Sequence, residues 1–305
     1  MVGNFDGVHR GHQWVLARGL QAALDAGLAP IVLTFHPHPS EVLGRGSLPV
    51  LTPLARKIDL LARLSPALCV VVEPFTRELA AASPRQFAAE LLQQKLGARQ
   101  VIVGENFRFG RGRSGDADTL RALGGELGFE ARAEALNGDE QGVISSTRIR
   151  ELISSGAVLE AEALLGRPHA LSGVVELGDQ RARQLGVPSA NLGKVPELLP
   201  ARGVYAVLVD VLEGAAYTRL GVGIANVGVR PTHGAGDVRA EAHVLGYSGD
   251  LYGRSLRVHL VERLRDERRF GSIDELRAQL DQDKRDGQAR LSRRTPDPAA
   301  FGAWH

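Results

Sequence analysis

The order of strand-like and helix-like segments constrains the fold more than any other feature of this sequence. Up to about residue 168, short apolar runs typical of strands alternate with amphipathic stretches typical of helices. From residue 172 to 262, one strand-like run follows another with turn residues between them. A chain of 305 residues is long enough for two domains. We therefore expect a domain at 1–168, a second at 169–292 and a tail at 293–305.

The first half is predicted to form a doubly wound parallel sheet, because strands that are joined by helices usually pair in parallel. The predicted strands are 31–35, 68–72, 100–104 and 129–135, and the predicted helices are 13–26, 54–64 and 84–96. A helical bridge is expected at 151–168.

The second half is predicted to form a closed antiparallel barrel, because its strands follow one another without intervening helices. The predicted strands are 172–177, 203–211, 218–227, 238–247 and 255–261. One terminal helix follows, with Ser272 and Glu275 as a capping box. The fold class is therefore α/β, with a β-barrel as the second domain.

Composition excludes several classes of protein. The apolar runs are too short to span a membrane, and the first residues lack the pattern of a signal peptide, so a cytoplasmic protein without membrane partners is expected. The net charge of +2 comes from scattered arginines, which does not indicate binding to nucleic acid. Cys69 is the only cysteine, and its apolar neighbours predict a buried, unreactive thiol. Nothing in the sequence indicates an oligomeric state.

Residues 3–12, GNFDGVHRGH, have the composition of a phosphate-binding turn that opens a helix. A helix N-terminus offers N–H groups and a positive dipole to phosphates. His9 and His12 would flank those phosphates and neutralise charge as a phosphoryl group is attacked. In the alternative interpretation, the two histidines only cap the helix or lie on a surface turn. The nucleotide-binding candidates are Gly3, Asn4, Phe5, Asp6 and Gly7.

Residues 144–150, ISSTRIR, also begin a predicted helix, and their hydroxyls and arginine suit nucleotide phosphates. Alone, such a segment is more often a plain helix cap. Together with GNFDGVHRGH, it resembles the HxGH and ISSTxxR signatures of the nucleotidylyltransferase superfamily. The resemblance implies a Rossmann-like sheet with His9, His12 and Arg150 as catalytic residues. The nucleotide-binding candidates here are Ser145, Ser146 and Thr147.

Two further segments, TFHPHP at 34–39 and GENFRFGRGRSGD at 104–116, resemble the matching segments of bacterial FAD synthetases. That resemblance places flavin and adenine contacts near Pro37, His38, Asn106 and Arg113. A solvated turn is the alternative for the second segment. Adenylyl transfer to FMN would require alignment and cations rather than a general base, because the FMN phosphate is already an anion.

Residues 172–192 resemble the riboflavin kinase pattern, in which a glycine- and arginine-rich arch precedes a PTAN motif. The chain departs from that pattern at Ala182, where the family usually has glycine, and at Ser189, which replaces threonine. Serine keeps the hydroxyl, so the resemblance still implies Mg²⁺ ligands at Ser189 and Asn191. The nucleotide-binding candidates of the arch are Gly178, Arg181 and Arg183.

Glu241 stands at the position of the family's glutamate and is expected to be the general base. A carboxylate there would accept the proton of the ribityl 5′-hydroxyl as that oxygen is phosphorylated. The alternative is a surface glutamate that pairs with Arg230 or Arg239. The segments at 199–207, 224–232, 240–253 and 267–283 match the same family in order and spacing. Thr232, Arg269 and Phe270 are expected to help close the site.

The resemblance covers almost the entire chain and implies a bifunctional enzyme of flavin biosynthesis. The second domain would phosphorylate riboflavin to FMN, and the first would adenylylate FMN to FAD and release pyrophosphate. ATP is the expected co-substrate of both reactions, and Mg²⁺ the expected cofactor. Two alternatives stay open: a riboflavin kinase with a degenerate adenylyltransferase domain, and a non-catalytic flavin- or nucleotide-binding regulator. Another kind of nucleotidylyltransferase would leave the barrel unexplained.

Only Met1 and Val2 precede the turn at Gly3, although this fold has a buried strand there. Four or five missing apolar residues at about 1.5–3 kcal/mol each would forfeit on the order of 10 kcal/mol. We therefore expect an upstream start that adds about 10–25 residues carrying that strand.

Overall fold

The chain forms two compact units in a computed structural model, which describes residues 1–44, 49–177, 189–214, 216–229 and 238–294. The first unit runs from Met1 to Ser146 apart from Pro49–Leu51, and the second comprises Pro49–Leu51 and the chain from Thr147 onwards. The first unit therefore ends before residue 168, and the domain boundary expected there stays a prediction.

The first unit contains the predicted parallel strands. They are β1 (Ile31–His36), β2 (Cys69–Pro74), β3 (Gln100–Gly104) and β4 (Glu130–Glu134), and a short hairpin of β5 (Gly138–Asp139) and β6 (Gly142–Val143) follows. β1 pairs in parallel with β2, and β3 with β4. Val2 joins the two pairs, since it bridges Leu33 in parallel and its N–H donates to the Ile102 carbonyl at 3.2 Å. The sheet order is thus β2–β1–(Met1–Gly3)–β3–β4.

The amino group of Met1 lies inside this sheet. It donates a hydrogen bond to the Ile31 carbonyl at 2.7 Å, and burial lowers its pKa to about 5. Met1 also lines a pocket of about 190 Å³ together with Leu28, Pro30 and Leu96. The upstream strand expected from the sequence stays a prediction.

Helices cover the sheet of the first unit. They are α1 (Arg10–Asp25), α2 (Pro39–Val42), α3 (Leu54–Ala62), α4 (Arg77–Ala81), α5 (Pro84–Gln86), a π-helical continuation (Phe87–Lys95) and α6 (Ala117–Leu127). Ser83 caps α5 with the reciprocal Gln86 contact of a capping box. Leu60 and Leu61 of α3 are completely buried. The amphipathic patterns therefore predicted α1, α3 and the segment from α5 to Lys95 correctly, whereas α6 was missed.

The prediction that the Cys69 thiol is buried was wrong, because the structure places this residue on the surface. It is the first residue of β2, a strand that pairs with β1 alone among the described strands and is only partly buried along its length. An edge strand lacks a neighbour on one side, so its apolar sequence did not imply complete burial.

The predicted helical bridge corresponds to α7 (Ser146–Ser155), which belongs to the second unit from Thr147 onwards, and to α8 (Val158–Leu165). A closed antiparallel barrel follows in the order β10–β11–β8–β7–β12–β9. Its strands are β7 (His169–Glu176), β8 (Ala190–Leu192), β9 (Gly203–Glu213), β10 (Ala216–Val229), β11 (Val238–Val244) and β12 (Ser255–Arg265). The predicted barrel is confirmed, although the three-residue strand β8 was missed. Helix α9 (Ile273–Ser292) ends the described chain, and the Ser272 side chain caps it by accepting from the Glu275 N–H.

Side chains alternate between the two faces of the barrel wall. Val207 and Val209 of β9 and Ala240 and Ala242 of β11 lie in the buried core. The residues between them therefore face outward, because successive side chains of a strand point to opposite faces. Within the described ranges, no helix is both long enough and apolar enough to cross a membrane.

Glu197 is a buried carboxyl group in the second unit. Its carboxylate accepts hydrogen bonds from the Ser172 N–H at 3.0 Å and from the Ser172 hydroxyl. Burial raises the pKa of Glu197, whereas the bonds from Ser172 and the charge of Arg257 act in the opposite direction.

Candidate functional site

The loop between Gly3 and His9 has an unusual backbone. Phe5, Gly7 and Val8 have φ angles of 50°, 89° and 40°. This left-handed region is uncommon for non-glycine residues and is least favourable for a β-branched one such as Val8. The loop therefore keeps its shape only because neighbouring segments hold it.

Hydrogen bonds from three other segments anchor that loop. The Asn4 carbonyl accepts from Thr34 Oγ1 at 3.0 Å and from Lys57 Nζ at 3.0 Å. Asp6 is buried, and its carboxylate accepts from the Thr52 N–H at 3.0 Å. Gly3 N–H donates to the Leu33 carbonyl at 3.1 Å.

His9 and His12 stack on each other at the start of α1, with ring centroids 3.5 Å apart. His9 is 4% exposed and caps the helix, since its Nδ1 accepts from the His12 N–H at 3.3 Å. The capping interpretation thus describes His9 correctly. It does not exclude a functional role, because an imidazole that accepts at Nδ1 carries its proton on Nε2, where it can donate to a phosphate. The ring of Phe5 meets His12 edge-on at 5.3 Å.

The structure brings the start of ISSTRIR against the HxGH segment. A Cβ atom at Gly11 would lie 3.0 Å from the Ile144 carbonyl, so glycine permits this approach. Ser146 Oγ donates to the Asp6 carbonyl at 2.9 Å, and Ser145 is half-buried beside it. Thr147 and Arg150 belong to the second compact unit, in which Thr147 is exposed and Arg150 Nε donates to the Pro49 carbonyl at 3.1 Å.

The expected flavin and adenine contacts follow the carboxyl ends of β1 and β3. His38 caps α2 and places its Nδ1 2.7 Å from Ser40 Oγ, directly after Pro37. Asn106 and Arg113 are exposed on the loop after β3, and Arg113 has a φ angle of 61°. Because the carboxyl ends of parallel strands share one edge of a sheet, these segments emerge on the same edge as the Gly3–His9 loop.

In the barrel, the predicted base and the predicted metal ligands meet. Ser189 Oγ donates a hydrogen bond to Glu241 Oε1. Asn191 of β8 stands opposite Glu241 of β11 in the antiparallel register. Both strands turn the adjacent residue, Ala190 or Ala240, into the core, so this group lies on the outer face of the barrel.

The register extends this group to a row of four residues, which we call the polar row. Glu176 of β7 pairs with Asn191, Asn191 with Glu241, and Glu241 with Asn226 of β10. Directly opposed residues on one face lie within contact range of each other. Arg239, considered above as a partner for Glu241, places Nη1 3.5 Å from Glu176 Oε2.

Of the other residues expected at the kinase site, the structure describes only Arg269 and Phe270. The Phe270 ring lies under the Arg268 guanidinium at 4.8 Å, and Arg269 is exposed beside it. Five residues named from the sequence lie outside the described residues, together with Arg230; they are Gly178, Arg181, Ala182, Arg183 and Thr232.

The sequence analysis did not identify three residues that lie at these sites, namely Lys57, Glu176 and Asn226. Lys57 could have been found, because it lies three and four positions before the buried residues Leu60 and Leu61 and therefore on the buried face of α3. Glu176 and Asn226 had no comparable signal, because only the strand register places them beside Asn191 and Glu241.

Two family models together match nearly the whole chain. A model described as FAD synthetase matches residues 1–148, and one described as riboflavin kinase matches residues 165–291. The bifunctional riboflavin kinase/FMN adenylyltransferase of Escherichia coli K12 is 39% identical over 287 residues, which cover 93% of this chain and 89% of the relative. The protein of the same name from Bacillus subtilis is 35% identical over 292 residues, which cover 93% of this chain and 90% of the relative.

A solved structure extends the likeness to the fold. A crystal structure from Streptococcus pneumoniae, described as a macrolide-efflux protein, matches with a TM-score of 0.81 and 29% identity. The match covers 96% of this chain and 93% of that one. Both domains, in the same order and at these levels of identity, show that the chain belongs to the family of bifunctional riboflavin kinase/FMN adenylyltransferases.

Proposed function

We propose that the two reactions of this family take place at two separate sites of the chain. Phosphorylation of riboflavin by ATP is assigned to the outer face of the barrel, around Glu241. Adenylylation of FMN by ATP is assigned to the carboxyl edge of the parallel sheet, around the Gly3–His9 loop. The contact between Ser189 and Glu241 supports the first assignment, since it joins the residue proposed as a metal ligand to the residue proposed as the base, which are 52 positions apart in the chain.

At the barrel site, Glu241 would accept the proton of the ribityl 5′-hydroxyl. A neutral alcohol is a weak nucleophile, and a carboxylate within hydrogen-bond reach assists by taking its proton as the new bond to phosphorus forms. Ser189 holds Glu241 Oε1 through its hydroxyl hydrogen, so Oε2 is the oxygen that we assign to the substrate proton.

The side-chain oxygens of Ser189 and Asn191 fit Mg²⁺. The hydroxyl of Ser189 and the amide oxygen of Asn191 are hard ligands, and Mg²⁺ binds through a few such groups together with substrate phosphates. A hydroxyl has one hydrogen and two lone pairs, so Ser189 can donate to Glu241 and still face a cation. When bound, Mg²⁺ would neutralise charge on the phosphates of ATP.

At the sheet site, this chain's residues would align two anions rather than move a proton. The N–H groups at the start of α1 and the stacked His9 and His12 would stabilise charge on the phosphates. Arg150 is proposed for the same role. Alignment alone can supply a large part of such a rate enhancement.

One assay tests the proposal and its alternatives. The protein is incubated with riboflavin, ATP and Mg²⁺, and then separately with FMN, ATP and Mg²⁺, and FMN is separated from FAD. We expect both products from riboflavin and FAD from FMN. Formation of FMN alone would support a kinase with a degenerate first domain, and binding without turnover would support a regulator.

A further inference from the structure

Lys57 is a buried cation behind the Gly3–His9 loop. It extends from α3, is 7% exposed, and directs its ammonium group at three oxygens. Lys57 Nζ lies 3.0 Å from the Asn4 carbonyl, 3.1 Å from Thr34 Oγ1 and 3.5 Å from the Phe35 carbonyl. The three N–H bonds of an ammonium group thus meet three acceptors.

These acceptors belong to two different parts of the proposed adenylyl-transfer site. Asn4 lies in the strained loop assigned to the phosphates. Thr34 and Phe35 lie near the carboxyl end of β1, which leads directly to Pro37 and His38, the expected flavin contacts. The Thr34 hydroxyl also donates to the Asn4 carbonyl, so Lys57, Thr34 and Asn4 form a closed set of hydrogen bonds.

Burial makes the charged form of Lys57 less favourable than it would be in water. Burial lowers the pKa of this ammonium group, and the carboxylate of Asp6 opposes that shift. A buried cation is tolerated when hydrogen bonds and a counter-charge compensate for lost water. An apolar side chain of the same length would fill the space without this cost, but it would remove the charged donor from the Asn4 and Phe35 carbonyls and leave Asn4 with the hydroxyl of Thr34.

We propose that Lys57 is a positioning residue for adenylyl transfer, which fixes the phosphate-binding loop relative to the flavin-binding end of β1. The proposal rests on the function proposed above. Lys57 acts through Asn4 and Thr34 and touches neither substrate. Because Phe5 and Val8 hold left-handed conformations, the loop relaxes when its charged anchor is removed. Misplacement of reacting groups by about 1 Å can lower a rate about 10²-fold.

The test replaces Lys57 by methionine, which keeps the length of the side chain and removes its donors. Lys95→Met is the matched control, since Lys95 is exposed and pairs only at the surface with Glu73 at 2.6 Å. In Lys57→Met, we expect kcat for FAD formation to fall about 10²-fold while the KM values for FMN and ATP change less than about threefold. Phosphorylation of riboflavin at the barrel should stay unchanged, which reports that the second unit is folded, and the unchanged KM values report that the first unit still binds FMN and ATP.

A second variant covers the case in which Lys57→Met fails to fold. Thr34→Val removes the shared hydroxyl at constant shape, and we expect the same loss of kcat on a smaller scale. The double variant is expected to be no slower than Lys57→Met, because residues of one network are not additive. FAD formation by the wild-type protein is measured first. Its absence would contradict the proposed function itself, whereas the variants test only the role of Lys57. FAD formation within about threefold of wild type in folded Lys57→Met, or additive losses in the double variant, would overturn the role of Lys57.

Discussion

Replacing Ser189 by alanine removes the hydroxyl that donates to Glu241 and that we assign to Mg²⁺. A hydrogen bond to a charged group contributes about 1.5–3 kcal/mol, and each 1.36 kcal/mol is a factor of ten in rate, so the loss of orientation alone corresponds to roughly 10- to 150-fold. Loss of a metal ligand adds to this figure. Threonine keeps the hydroxyl, and Ser189 is only half-buried, so Ser189→Thr is expected to be tolerated.

The assay is FMN formation from riboflavin over a Mg²⁺ titration, with FAD formation from supplied FMN as the internal control. For Ser189→Ala we expect a lower maximal rate and a higher Mg²⁺ requirement, with unchanged FAD formation. Ser189→Thr should follow the wild-type curve. Superimposable titrations of the alanine variant and the wild type would refute the reasoning and leave Ser189 as a turn residue.

Three further predictions address the remaining groups. Glu241→Gln should lower riboflavin phosphorylation about 10²- to 10⁴-fold and spare FMN adenylylation, and near wild-type FMN formation would remove Glu241 as the base. His9→Ala and His12→Ala should each abolish FAD formation and let FMN accumulate; a parallel loss of kinase activity in folded protein would contradict two separate sites. Because burial raises the pKa of Glu197 above 4.5, the native state binds more protons than the unfolded chain as the pH passes from 4.5 up to the raised value. The free energy of unfolding should therefore fall as the pH rises through this window, and denaturant titrations of Glu197→Gln should lack that fall.

Much of the fold followed from local patterns. Alternating strands and helices predicted the parallel sheet, and uninterrupted strands with turn residues predicted the barrel, which the structure confirms. The misses have physical causes. Strand β8 is three residues long, too short to show a period, and Cys69 lies on an edge strand whose exposure depends on the pairing of strands.

The sequence predicted the motif residues of the candidate sites but not which other residues lie beside them in space. GNFDGVHRGH, ISSTRIR and the segment PSAN at 188–191, which matches the PTAN motif, were recognisable because each needs particular residues at fixed spacing. Lys57 and Asn226 were not recognised, although both stand directly against motif residues. A lysine in a helix and an asparagine in a strand are usually solvated, so their residue types alone carried no signal.

The sequence by itself determined the two domains, the family and the residue types available for chemistry, because these depend on periodicity and on contiguous motifs. Only the tertiary structure decided which of those residues meet. It set Ser189 against Glu241, 52 positions apart, and Lys57 against Asn4, 53 positions apart. Such contacts depend on the register of paired strands and on which face of a helix is buried. Hydrogen bonds and packing between distant segments set these relations, and they therefore appear only once the chain has folded.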